Sequence, residues 1–303
     1  MSALLFRALA ALALIAAAPP PDARQTLKAL QQMDIVLATT GYRLATANVA
    51  LCKSQQPASG LLVQGIEQYG SGYRTAAAAL FSLGSAPGVA AVIPDSPAAR
   101  AGIRPGDALL SINGAPLPPE PKTHDFTRIA AVLDQLDAAL AAGPVTLGLA
   151  RGPVTLTGIP ACASRFQVTP SDTLAAGADG RIVEVDSGLM SYANDGNEIA
   201  VIVAHELAHN ILAHPARLDR EGVSRRAKIG KDAGKIRETE IEADLFSLRL
   251  LANAGYPLEA APAFWRRFGR QHGFGIFSDS THLRWKKRVA LIEAEIARLR
   301  AGK

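Results

Sequence analysis

The sequence predicts an α+β protein of two unlike parts: a mainly helical domain with a small edge sheet, and a compact β-sandwich or barrel module set into it. Two observations carry this. Between Ser59 and about Leu156, short β-branched and apolar runs are broken by Gly and Pro, the grammar of strands and turns. On either side, apolar residues recur at helical spacing. A length of 303 residues suits two domains, and 49% hydrophobic with 19% charged residues is globular composition.

Residues 1–18 read as a secretory signal peptide. Arg7 gives a positive start, Ala8 to Ala18 is apolar, and Ala16 and Ala18 form an A-x-A pattern before Pro19. Eleven apolar residues fall short of the roughly 20 that span a bilayer. The chain is therefore expected to be periplasmic or secreted, and membrane-anchored if the leader is kept. Segment 19–58 follows as an N-terminal helical stretch packing on the helical domain. Leu27, Leu30, Met33 and Leu37 predict a helix at least to Ala38, with Gly41 ending it.

The net charge of +5 comes from 32 basic against 27 acidic residues. With 5% aromatic residues and no nucleic-acid motif, the charge reads as Arg-rich helices tipping a near balance and no nucleic-acid partner is expected, basic-patch binding being a distant alternative. The basic run from Arg217 to Arg237 reads as a solvated loop, with a mobile lid or contact with an anionic membrane surface as the alternative.

Within residues 59–157, Ser96-Pro-Ala-Ala-Arg-Ala-Gly-Ile-Arg-Pro-Gly-Asp107 and the following Leu-Leu-Ser-Ile-Asn-Gly-Ala-Pro-Leu resemble a PDZ domain of the kind found in exported bacterial proteases. Gly102 and Gly106 suit turns that need positive φ, and Asn113-Gly114 suits a tight hairpin. The resemblance implies a peptide or unfolded-protein partner that adds a strand to a sheet edge. By position, Gly60, Leu61, Leu62 and Val63 are the peptide-binding loop, or else ordinary strand residues. Cys52 and Cys162 flank the module. A disulfide between them would pin its two ends, and two separate buried thiols are the alternative.

Residues 158–303 hold the chemistry. His205-Glu-Leu-Ala-His209 puts two imidazoles on one helix face, where both reach one zinc ion. Glu206 is placed to take a proton from the attacking water. Asp195 and Glu198 form a capping box that starts this helix. Its apolar residues predict burial on nearly all sides. Arg181 to Met190 reads as an edge strand leading into it. Leu212 and Pro215 exclude the HExxHxxGxxH pattern, so His214 reads as a residue at the helix end, favouring the dipole. Downstream, Glu240 and Asp244 are one turn apart on a helix opening near Glu238.

His205 to His209 followed by Glu240-x-x-x-Asp244 resembles the gluzincin zinc metallopeptidases of the HtpX and CAAX prenyl protease family, soluble periplasmic members included. That resemblance implies one Zn²⁺ per chain held by His205, His209 and Glu240, with Asp244 orienting a ligand. Glu238 and Glu242 are then solvated or partners of the helix dipole. Ser280-Thr-His282 with Arg288 is similar to the family's THP-then-Arg element, although Leu283 replaces the Pro. It implies that His282 assists catalysis beside the metal. The expected function is an exported zinc metalloendopeptidase acting on envelope or misfolded proteins, with the PDZ module recruiting substrate. The alternatives are a PDZ-based chaperone or assembly factor with a latent or structural zinc site, and an amidase acting on cell-wall peptides.

Overall fold

The computed structural model describes residues 22–122, 124, 126–224, 227, 230–272 and 283–302. The leader 1–18 and His282 lie outside the described residues. Among the described residues no helix is long and apolar enough to cross a membrane.

Helix α1 (Ala23–Ala47) does not stop at Gly41 but runs six residues beyond it. Gly41 serves packing instead. A Cβ there would lie 2.4 Å from the Phe166 ring, so the missing side chain lets the helix rest on that aromatic. The chain then reaches β1 (Gln55–Ala58), which pairs antiparallel with β8 (Ile159–Cys162). In this ladder Gln55 faces Cys162. Cys52 and Cys162 are disulfide-bonded, with 5.4 Å between their Cα atoms.

Between β1 and β8 lies a module with its own core, in which Val89, Leu109, Ile112, Val132, Leu136, Leu147 and Leu156 are buried together. Strand β2 (Leu61–Gln64) pairs with β3 (Gly88–Val92), and the two are joined through α2 (Ser71–Phe81). Ser96 caps the short α3 (Pro97–Arg100), accepting the N–H of Ala99 at 3.2 Å. Strands β4 (Leu109–Ile112), β5 (Ala115–Pro116), β6 (Val145–Leu149) and β7 (Gly152–Leu156) form an antiparallel sheet in the order β5-β4-β6-β7. Asn113 and Gly114 both have positive φ, as the hairpin reading requires. Helix α4 (Thr127–Ala142) supplies Ile129, Val132, Leu136 and Leu140 to the core.

A second core joins α1 to the helical domain. Strands β9 (Arg165–Thr169), β10 (Ala176–Ala178) and β11 (Ile182–Asp186) make a sheet in the order β10-β11-β9. The expected edge strand is therefore the central one. β11 is held by β9 in parallel and β10 antiparallel, which leaves the Ala-Gly-Ala segment of β10 at the edge. After α5 (Ser187–Tyr192) come α6 (Gly196–Ile211), α7 (His214–Arg220), α8 (Gly230–Asn253), α9 (Ala260–His272) and α10 (Trp285–Ala301). The basic run expected as a loop is thus largely helical. Helix α8 opens at Gly230 rather than near Glu238, because Ala233, Thr239, Ala243 and Ser247 form a small-residue face that is buried beneath the charges.

Candidate metal centre

Asp195 starts α6 as expected, its Oδ1 accepting the N–H groups of Asn197 at 2.9 Å and Glu198 at 3.0 Å. The return arm differs from a simple box, since Glu198 accepts the N–H of Asn194 at 2.8 Å. The helix packs most closely against α8, and its residues from Ile199 to His205 are all buried. One helical turn sets the rings of His205 and His209 4.9 Å apart.

Helix α8 delivers Glu240 to the same point. The two Nε2 atoms are 3.2 Å apart. Glu240 Oε2 is 3.3 Å from His205 Nε2, and its Oε1 is 3.5 Å from His209 Nε2. Ligands about 2.0–2.2 Å from one tetrahedral ion lie roughly 3.3–3.6 Å from each other. The three side chains therefore fit a single metal ion of zinc size, and two imidazoles with a carboxylate are a suitable donor set.

The electrostatics favour a cation at this point. Burial works against a charged His205, yet hydrogen bonds to Asp244 and Glu240 carry it up to about 10. His209, buried beside that charge, falls to about 3. Burial, opposed by His205 and helped by Glu240, pushes Glu206 up to about 7. Its carboxylate lines the same cleft as both imidazoles.

Each imidazole is anchored from behind through Nδ1. For His205 the anchor is Asp244, with Oδ1 at 3.0 Å. Arg288 grips Asp244 in turn, its Nε donating to Oδ2 at 2.7 Å, while the guanidinium lies 3.2 Å over the ring of Trp265. For His209 the anchor is His214, which the sequence reading left at a helix end. His214 is buried, its Nδ1 3.0 Å from His209 Nδ1 and its Nε2 3.1 Å from Glu242 Oε2. Glu242 is not merely solvated, since Arg217 Nη1 donates to it at 2.9 Å. The missed signal was a third His five residues after His209, followed by a Pro that restarts the chain as α7.

The cleft around these residues holds about 950 Å³. Edge strand β10 forms one wall, and Phe264, Trp265 and Phe268 of α9 form another. A separate cleft of about 770 Å³ is bordered by β2, α4, α1 and β9. Gly60 sits there in the left-handed region (φ +79°), where a Cβ would run into Ser96, and Leu61, Leu62 and Val63 continue as β2.

Residues 88–140 match the family model of the PDZ domain. The match runs from β3 into α4, so Gly60 to Val63 precede it. A solved HtrA3 PDZ domain bound to a phage-derived ligand (FGRWV) is 23% identical and covers 35% of this chain and 89% of that chain, at a TM-score of 0.25. The mitochondrial metalloendopeptidase OMA1 of Arabidopsis thaliana is 29% identical over 136 residues, which is 37% of this chain and 27% of that protein. The chain thus spans about a quarter of the length of that relative.

Proposed function

We propose that the chain is an exported zinc-dependent metalloendopeptidase of the HtpX and CAAX prenyl protease-like gluzincin type, whose PDZ domain recruits unfolded or envelope proteins. The observation that carries this is the convergence of His205, His209 and Glu240 within tetrahedral reach, with Glu206 beside them in one cleft. The partial likeness to a protein named as a metalloendopeptidase agrees with it.

In this reading His205, His209 and Glu240 hold the ion. A zinc ion held there would acidify a water and polarise the scissile carbonyl. Glu206, in the same cleft, would accept a proton from the attacking water and pass it to the leaving amine. Asp244 and His214 keep the two imidazoles aimed at the centre, and Arg288 balances the charge of Asp244. His282, by its place in the sequence, is the further donor for the developing oxyanion. An extended substrate would lie along the edge of β10 that no strand among the described residues covers, and Gly60 to Val63 would receive a peptide in the second cleft.

The test is the Glu206→Gln protein on an unfolded substrate such as reduced casein. Cleavage is expected to fall by at least about 10²-fold while zinc stays bound. Cleavage at the parental rate would remove Glu206 as the base.

A further inference from the structure

We infer that His214 is a positioning residue for His209: it fixes which nitrogen of that ring carries the proton, and so leaves Nε2 free for the metal. The inference rests on the metal reading above and adds a residue to it.

The argument follows the protons. Glu242 is anchored by Arg217 and can only accept, so the Nε2 of His214, 3.1 Å from it, must carry a hydrogen. The proposal takes His214 as neutral; its single N–H is then used on Glu242, and its Nδ1 is an acceptor. The contact between the two Nδ1 atoms at 3.0 Å needs one donor, and only His209 can supply it. His209 therefore carries its proton on Nδ1, and its lone pair lies on Nε2, the atom facing His205 Nε2 and Glu240. The opposite tautomer would aim an N–H at the ion.

The backbone is bent for this contact. Ala213, between α6 and α7, has φ +53°, a left-handed conformation that a residue with a Cβ adopts only at a cost. That reversal swings His214 back beside the helix it has just left. The two anchoring chains then end alike: His205 to Asp244 to Arg288, and His209 to His214 to Glu242 to Arg217. Each carboxylate behind a ring has its own guanidinium, so neither adds net charge to a centre that already holds Glu206 and Glu240. A histidine serving packing alone would be satisfied by Glu242 and would not need its second nitrogen on His209.

The experiment is zinc affinity by competition with a chromophoric chelator, together with the visible spectrum of the cobalt-substituted protein. Parent, His214→Leu and His214→Asn are compared. Leu fills the space without an acceptor and is expected to weaken zinc binding by about 10- to 100-fold and to alter the cobalt spectrum. Asn offers an oxygen near the place of Nδ1 and is expected to recover most of the affinity. A folded His214→Leu protein that binds zinc like the parent overturns the inference. If that variant fails to fold, Glu242→Ala on the half-exposed end of the chain takes its place, with a severalfold loss expected and unchanged affinity counting against the role. A parent that binds no zinc would overturn the metal reading itself, a different outcome from a parent and His214→Leu that bind it equally.

Discussion

Asp34 shows how a single half-buried carboxyl leaves a signature on the whole chain. It sits on α1 beside the second cleft, and its Oδ1 accepts the N–H of Val168 at 3.1 Å. Burial outweighs that bond and lifts its pKa from 3.8 to about 6. The folded state thus binds this proton more tightly than the unfolded chain. Its contribution to stability is greatest below about pH 4 and is lost as pH rises through about 6. Two units correspond to about 3 kcal/mol at most, so Asp34→Asn is expected to stabilise by about 2 kcal/mol at pH 7.5 and by almost nothing at pH 4. Urea unfolding at the two pH values checks this, and an equal effect at both would assign the gain to something other than the charge. At this scale the sequence was most legible where function follows a local period. His205 and His209, and likewise Glu240 and Asp244, stand four apart on helices. His214 and Glu242 were illegible for a physical reason. Their meeting depends on the reversal at Ala213, and alanine carries no turn signature.

Elements were misjudged where one residue type has two uses. Gly41 reads as a helix stop, yet it is a contact point for Phe166 of β9 inside a helix that continues. Two effects then compete in Gly41→Ala. The helix gains about 0.5–1 kcal/mol from alanine. A methyl 2.4 Å from a half-buried ring costs about 1–3 kcal/mol through overpacking. The cost wins, and thermal unfolding is expected to show a lower midpoint for Gly41→Ala. A raised midpoint would mean that the ring moves aside freely. The sheet order was hidden similarly. Ala176-Gly177-Ala178 has no β-branched residue, so β10 carries no strand pattern, and the more apolar β11 reads as the edge it in fact backs. Helix α8 reads short because the turns before Glu238 bury only Ala233, which a count of large apolar residues passes over.

In the whole molecule, the disulfide and the β1–β8 ladder close the base of the inserted module where it leaves the helical domain. A loop of 110 residues is long, and its closure restricts the unfolded chain accordingly. The Cys52→Ala/Cys162→Ala double variant is expected to lose about 2–5 kcal/mol in urea unfolding while keeping its metal. Loss of metal at full stability would contradict that division of labour. The three-stranded sheet also links the two clefts, since β9 borders the one beside β2 while β10 walls the metal cleft. The α+β class and the PDZ grammar were plain in the order of turn residues. The packing of α1 and β9 along the second cleft was not, because contacts between distant segments leave no local period. The most direct measurement is zinc per chain by mass spectrometry after dialysis, on the parent and on Glu240→Ala. About one zinc in the parent and a loss of most of it in a folded Glu240→Ala protein is the expected result. A parent without zinc, or a variant that keeps it in full, would contradict the claim that His205, His209 and Glu240 share one ion.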